Sequence, residues 1–152
     1  MKTIWSKDAL PLVPPRFRSI YTVLLPTVDV GLIVFGITSL TVGSRIIGDF
    51  ALPWFRVAWG LVILLGAAVA LVALILQLKR TELYGRFAVA LGLLIYVAAI
   101  VVYIASGQAN STLTLVLVLI RLAALSWRVN DLISEIAREE ADREAMSRGE
   151  RV

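Results

Sequence analysis

Residues 54–78 read WFRVAWGLVILLGAAVALVALILQL. Across these residues there is one charge, Arg56, and one amide, Gln77. A hydrocarbon layer about 30 Å thick is crossed by about 20 helical residues, so the stretch is long enough to cross, and too long and too uniformly apolar for a soluble helix. Pro53 precedes it and suits the first turn of a helix. The reading predicts a transmembrane helix over 54–78.

Working outward, three more apolar stretches follow the same rule. Expected spans are 20–42, 84–105 and 112–127, with 54–78 as the second of four. The expectation is an all-α polytopic membrane protein: an interfacial N-terminal segment (1–19), a four-helix transmembrane domain (20–127) and a charged cytoplasmic helical tail (128–152). Turn chemistry at Gly107, Asn110 and Ser111 separates the third and fourth spans. Lys79-Arg80-Thr81-Glu82, running on to Arg86, reads as a charged connector between the second and third. Residues 1–19 do not read as a cleavable signal peptide, because prolines interrupt the approach to the apolar run and no small-residue cleavage motif follows a short core. Trp5 and its apolar neighbours are expected along the headgroups, with Lys2, Lys7, Arg16 and Arg18 facing anionic lipid.

Composition agrees. Of 152 residues, 59% are hydrophobic and only 17% charged, against about a quarter charged in soluble domains. Cysteine and histidine are both absent, which excludes disulfides, thiolate and imidazole metal sites, cysteine nucleophiles and histidine acid–base chemistry. No phosphate-binding glycine loop or nucleophile elbow occurs. The expectation is a non-enzyme without cofactor or metal. The net charge of +4 is explained by basic membrane-flanking segments rather than by nucleic acid. Arginine outnumbers lysine twelve to three, a bias typical of GC-rich bacterial genomes and their viruses.

Basic residues also orient the chain. Twelve fall on the side of the termini and the 79–86 connector, and two, Arg45 and Arg56, on the other. The positive-inside rule then places both termini in the cytoplasm of a bacterial inner membrane.

Two charges lie deep within the apolar spans, well away from their ends. Asp29 is about nine residues into the first, or ~13 Å deep, and Arg121 is about seven residues before Arg128, or ~10 Å from the same edge. Charges at such depth face the bundle interior and pair, so an intramembrane ion pair between Asp29 and Arg121 is expected to join the first and fourth helices. The alternatives are an Arg121 that snorkels to the headgroups with Asp29 bonded to Ser or Thr, or a water-filled or subunit-facing role. Pro26 removes a backbone donor and predicts a kink; the carbonyl it frees near Thr22 is expected to be met by Thr27 or water.

Gly66-x-x-x-Ala70 and Ala88-x-x-x-Gly92 have the spacing that lets helix backbones approach, within one chain or between chains. In the tail, seven acids accompany five bases. Val129, Leu132, Ile133 and Ile136 form a short apolar stripe at helical spacing, either a contact surface or part of a solvated extension of the last span.

The chain as a whole resembles the small four-helix membrane proteins in lysis cassettes of phages infecting actinobacteria, commonly regarded as holins or holin partners. The span layout carries the resemblance, with Lys79-Arg80-Thr81-Glu82-Leu83-Tyr84-Gly85-Arg86 entering the third span and Arg121 with Trp127-Arg128 in the fourth. It implies a self-associating protein that permeabilises the host cytoplasmic membrane. The rival expectation is a non-catalytic accessory subunit packed against a larger membrane complex. A small channel or carrier is the third, disfavoured because the spans offer few polar groups to line a path. Expected partners are therefore the lipid bilayer and either further copies of the chain or other membrane proteins.

Overall fold

A computed structural model describes residues 3–5, 18–41, 52–107 and 112–148. Among these residues there are four long helices and no strand. Helix α1 is Leu25–Thr41, entered through a π-helical turn at Ile20–Leu24. Helices α2, α3 and α4 are Pro53–Ile75, Lys79–Ala105 and Thr112–Ser147. All four are long and apolar enough to cross a bilayer. The loop holding Arg45, Ile46 and Ile47 lies outside the described residues, as do Lys2, Lys7 and Arg16.

Helix α1 packs on α2, α2 on α3 and α3 on α4. The tightest seam is α2 against α3. A Cβ on Gly85 would stand 2.7 Å from the Ala70 nitrogen and 2.9 Å from the Gly66 oxygen, so here the two backbones touch. A Cβ on Gly66 would in turn meet the Ala88 Cβ at 3.0 Å, and one on Gly92 the Ile63 Cγ1 at 2.6 Å. Both small-residue faces read from the sequence are thus used inside one chain, where Gly66, Ala70 and Gly92 are buried.

Three apolar clusters fill the bundle. Trp59, Ile63, Tyr96 and Ile100 form one with Phe35, whose ring meets Trp59 edge-on at 6.0 Å. Leu32, Ala67, Val89, Leu93 and Leu125 form the second. Ile4, Leu25 and Leu74 form the third. The buried Trp59 indole donates 2.8 Å to the Gly92 carbonyl oxygen, which satisfies its one polar atom. Outside these clusters large apolar side chains such as Val34, Leu65, Leu91 and Ile120 are exposed, the inverse of a soluble bundle.

Two boundaries differ from the expectation. Helix α2 ends at Ile75, and α3 already begins at Lys79, so the expected connector is the first two turns of a helix. The reversal is confined to Leu76–Leu78. Gln77 takes φ 57°, Leu78 N–H donates 2.8 Å to the Ala73 oxygen and Gln77 N–H 3.2 Å to the Leu74 oxygen. That is the Schellman termination, built on a glutamine where glycine is usual. Helix α4 continues unbroken through Arg128 to Ser147, the helical extension expected of the last span; the second difference is how much of that extension is buried. The 128 boundary is not an edge of the packed bundle, because Arg128 is 4% and Leu132 0% exposed. Of the tail stripe, Val129 and Ile136 are partly buried and Ile133 is exposed.

A non-glycine residue in the left-handed region costs ~1–2 kcal/mol, and more when β-branched. Gln77 already bears that cost, so replacing it with Val should destabilise the detergent-solubilised protein only by the added β-branched penalty, about 1 kcal/mol or less, whereas Gln77→Gly should be tolerated or mildly stabilising. Thermal unfolding followed by circular dichroism reads both. Equal losses would mean that Gln77 acts through its side chain and not through φ.

Candidate functional site

The buried stripe of α3 runs Glu82, Gly85, Arg86, Val89, Leu93, Tyr96, Ile100. Its first members are charged, yet they share the face of the apolar ones at helical spacing. On α1 the buried stripe is Leu25, Asp29, Leu32, Gly36, Ser39, and on α4 it is Leu125, Arg128, Leu132. Each of three helices thus brings an ionised side chain to the same interior.

They meet as a ladder. Arg86 grips Asp29 with two parallel bonds, Nη1 to Oδ1 at 2.9 Å and Nη2 to Oδ2 at 3.0 Å. Its Nε donates 3.1 Å to Glu82 Oε1, one helical turn back. Arg128 grips the same Glu82, Nε to Oε1 and Nη2 to Oε2, both at 3.0 Å. The Arg128 Nη1 reaches Asp131 Oδ2 at 2.7 Å. Asp131 Oδ2 also accepts 2.9 Å from the Tyr21 hydroxyl, and the Tyr21 ring lies under the Arg128 guanidinium, 5.0 Å from its centroid. Asp29, Glu82 and Arg86 are at most 2% exposed.

These bonds explain how the ladder exists at all. A buried charge costs several kcal/mol unless its lone pairs and protons are matched, and fork-on-carboxylate geometry is the strongest available match. Arg86 and Arg128 each place three donors on carboxylates. Arginine's reach also matters, because α1 meets α3 and α4 here through long polar side chains while its backbone packs on α2.

Outside the interior the ladder continues more loosely. Lys79 bridges Glu135 at 2.9 Å and Glu139 at 2.7 Å, and Arg80 pairs with Glu140. These partners are a third to two-thirds exposed, and such pairs contribute under ~1 kcal/mol each. They align the extension of α4 along the start of α3.

The expected contact between Asp29 and Arg121 is present, but Arg121 is not the main partner of the carboxylate. Arg121 Nη2 does reach Asp29 Oδ1, but at 3.4 Å, and Arg86 holds the carboxylate from the other side with two shorter bonds. Glu82 is likewise a second buried carboxylate where the spans were expected to hold only Asp29. The charge density of residues 79–86 hid both, although Glu82 and Arg86 stand four apart on a stripe that runs on as Val89 and Leu93. That periodicity was the available signal.

Pro26 is accommodated by the π turn. Leu25 N–H bonds to the Ile20 oxygen, which widens the helix just before the proline. The Thr22 carbonyl, robbed of its donor by Pro26, accepts 3.1 Å from the Trp5 indole N–H, where Thr27 or water was expected. Ile4 N–H donates 3.2 Å to the Ile75 oxygen and the Ile4 side chain is 4% exposed. Residues 4–5 therefore strap the start of α1 to the end of α2.

Among the described residues no cluster of potential ligands could hold a metal ion. The described groove of note lies at the surface, about 280 Å³, where Lys79, Arg80 and Thr81 face Ile136, Glu139 and Arg143. No protein-family model, no curated protein and no solved structure matches the chain.

Glu82 takes two arginines from different helices, so Glu82→Gln should weaken both, leaving Arg86 to Asp29 and Arg128 to Asp131. We expect a loss of about 3–5 kcal/mol, read by reversible unfolding in mixed micelles. Asp131→Asn, at the partly exposed end, should cost about 1 kcal/mol or less. Comparable losses at the two positions would show that the interior ladder is not the stronger part.

Proposed function

We propose that the chain is a non-catalytic integral membrane subunit. It crosses a bacterial cytoplasmic membrane four times with both ends in the cytoplasm, and holds the charged half of α4 as a projection on which a larger membrane complex assembles. The observation that carries this reading is the ladder of ion pairs from Asp29 through Arg86, Glu82 and Arg128 into the extension. It joins the last helix to the membrane-embedded core by charge-assisted bonds, so the projection is fixed relative to the bundle.

Two further points support it. The buried ionised groups turn towards one another, which is how a structural clamp spends its polar atoms; a conducting path turns them towards water. The orientation follows from the basic residues, and the exposed Tyr84 and Trp127, close in sequence to the bonded Glu82 and Arg128, suit a headgroup boundary there.

The holin-like reading keeps one observation in its favour. Leu113, Leu117 and Ile120 on the first half of α4 are well exposed, and such a face serves self-association as well as lipid contact. The small-residue faces and Asp29, which could have served contacts between chains, are occupied within one chain.

Induced expression in a growing bacterium separates the two. A voltage-sensitive dye should report an unchanged membrane potential while the full-length chain accumulates in the inner membrane. An abrupt collapse of potential at a threshold amount would contradict the subunit reading and establish permeabilisation.

A further inference from the structure

Three arginines, Arg86, Arg121 and Arg128, lie on or beside the buried stripes at the Asp29 end of the bundle, and among the described residues Asp29 and Glu82 are the only buried carboxylates. The third carboxylate of the ladder, Asp131, stands ten residues beyond Arg121, or ~15 Å along the same helix. The imbalance falls on Arg121. Arg86 and Arg128 are each held by three bonds, but Arg121 has one contact of 3.4 Å to an oxygen that Arg86 already engages. Its Nε is buried and meets no acceptor. An arginine offers five donors, and an ionised one at this depth costs ~3 kcal/mol or more until an anion answers it.

The side chain of Arg121 is 16% exposed, so an edge of the guanidinium or its stem reaches the outer surface of α4. Around it that surface is formed by Leu117 and Ile120, 58% and 62% exposed, and by Ala124, also exposed. Alanine there allows another helix backbone to come close. We propose that this face of α4 docks a transmembrane helix of a partner protein that carries an aspartate or glutamate at the depth of Arg121. The inference rests on the subunit reading above and names the chemistry of the partner.

Charge complementarity selects that occupant over two others. A second copy of the chain has no acid to offer at this depth among the described residues, because Asp29 and Glu82 are 0% and 2% exposed and already gripped. A lipid phosphate would draw the guanidinium towards the headgroups, but Arg121 is turned inward onto Asp29, and Trp127 at the boundary lies six residues away, ~9 Å along the axis.

The test uses the full-length chain in lipid vesicles with a designed single-span Leu/Ala helix of about 20 residues bearing one Glu at the matching depth. A sister helix bears Gln. Association is read by energy transfer between labels. The Glu helix should bind about tenfold more tightly than the Gln helix, Arg121→Leu should erase that difference, and Arg121→Lys should keep part of it. Where Arg121→Leu fails to retain helical circular dichroism, Arg121→Gln takes its place. Equal binding of the two helices would overturn the proposal, as would a Glu preference that survives loss of Arg121. A Glu preference abolished by adding anionic lipid would assign the site to phosphate and overturn it too. The membrane-potential measurement is independent, so an unchanged potential without a Glu preference defeats this inference alone.

Discussion

Asp29 is 0% exposed among helices apolar enough to cross a bilayer, its carboxylate hangs on one methylene and cannot snorkel to water, and the arrangement of the bundle follows from that constraint on this side chain. Its charge must be answered in place. Arg86 answers with a two-bond fork, which fixes the rotation of α3 so that residue 86 faces α1. Once Arg86 is inside, its Nε donor calls for Glu82, and Glu82's second oxygen calls for Arg128. The fourth helix is therefore placed by electrostatics as much as by packing. The apolar clusters above this level then need only shape, which the glycines and alanines of α2 and α3 supply.

Low dielectric gives the ladder its consequence. In water each of these pairs would be nearly neutral energetically, but inside the bundle a lost partner leaves the other charge without solvent to fall back on. Interior pairs are therefore all-or-none in character, whereas the Lys79 and Arg80 pairs at the aqueous end can exchange partners at little cost. A protein built this way has a stiff centre and a more forgiving charged extension, which suits the proposed scaffold role.

The four apolar helices were legible because length and the scarcity of charge in stretches such as 54–78 leave few alternatives. The depth of Asp29 and Arg121 could be counted from the chain, and so could the small-residue spacing at Gly66, Ala70, Ala88 and Gly92. What stayed hidden has one root. The turn between α2 and α3 sits at Leu76–Leu78, among apolar residues and without glycine or proline, because Gln77 adopts φ 57° in glycine's usual place. With no turn signal there, the charged run 79–86 took its role, and Glu82 and Arg86 were read as solvated. The burial of the first turns of the α4 extension was obscured in the same way, since Arg128 opens a run rich in charge that nevertheless keeps Arg128 and Leu132 inside. The use of Trp5 to cap the Thr22 carbonyl is a contact between residues seventeen apart, which local pattern does not reveal.

The central claim is that Asp29 and Arg86 form one unit. The most direct measurement is a double-mutant cycle of Asp29→Asn and Arg86→Met, with unfolding free energies taken in bilayer nanodiscs. Each single change should destabilise the bundle by about 3–5 kcal/mol, and the double change should recover a large part of the loss, with a coupling well above the ~0.6 kcal/mol typical of polar contacts between membrane helices. Additive losses would contradict the account, for they would mean that the two side chains do not answer each other's charge.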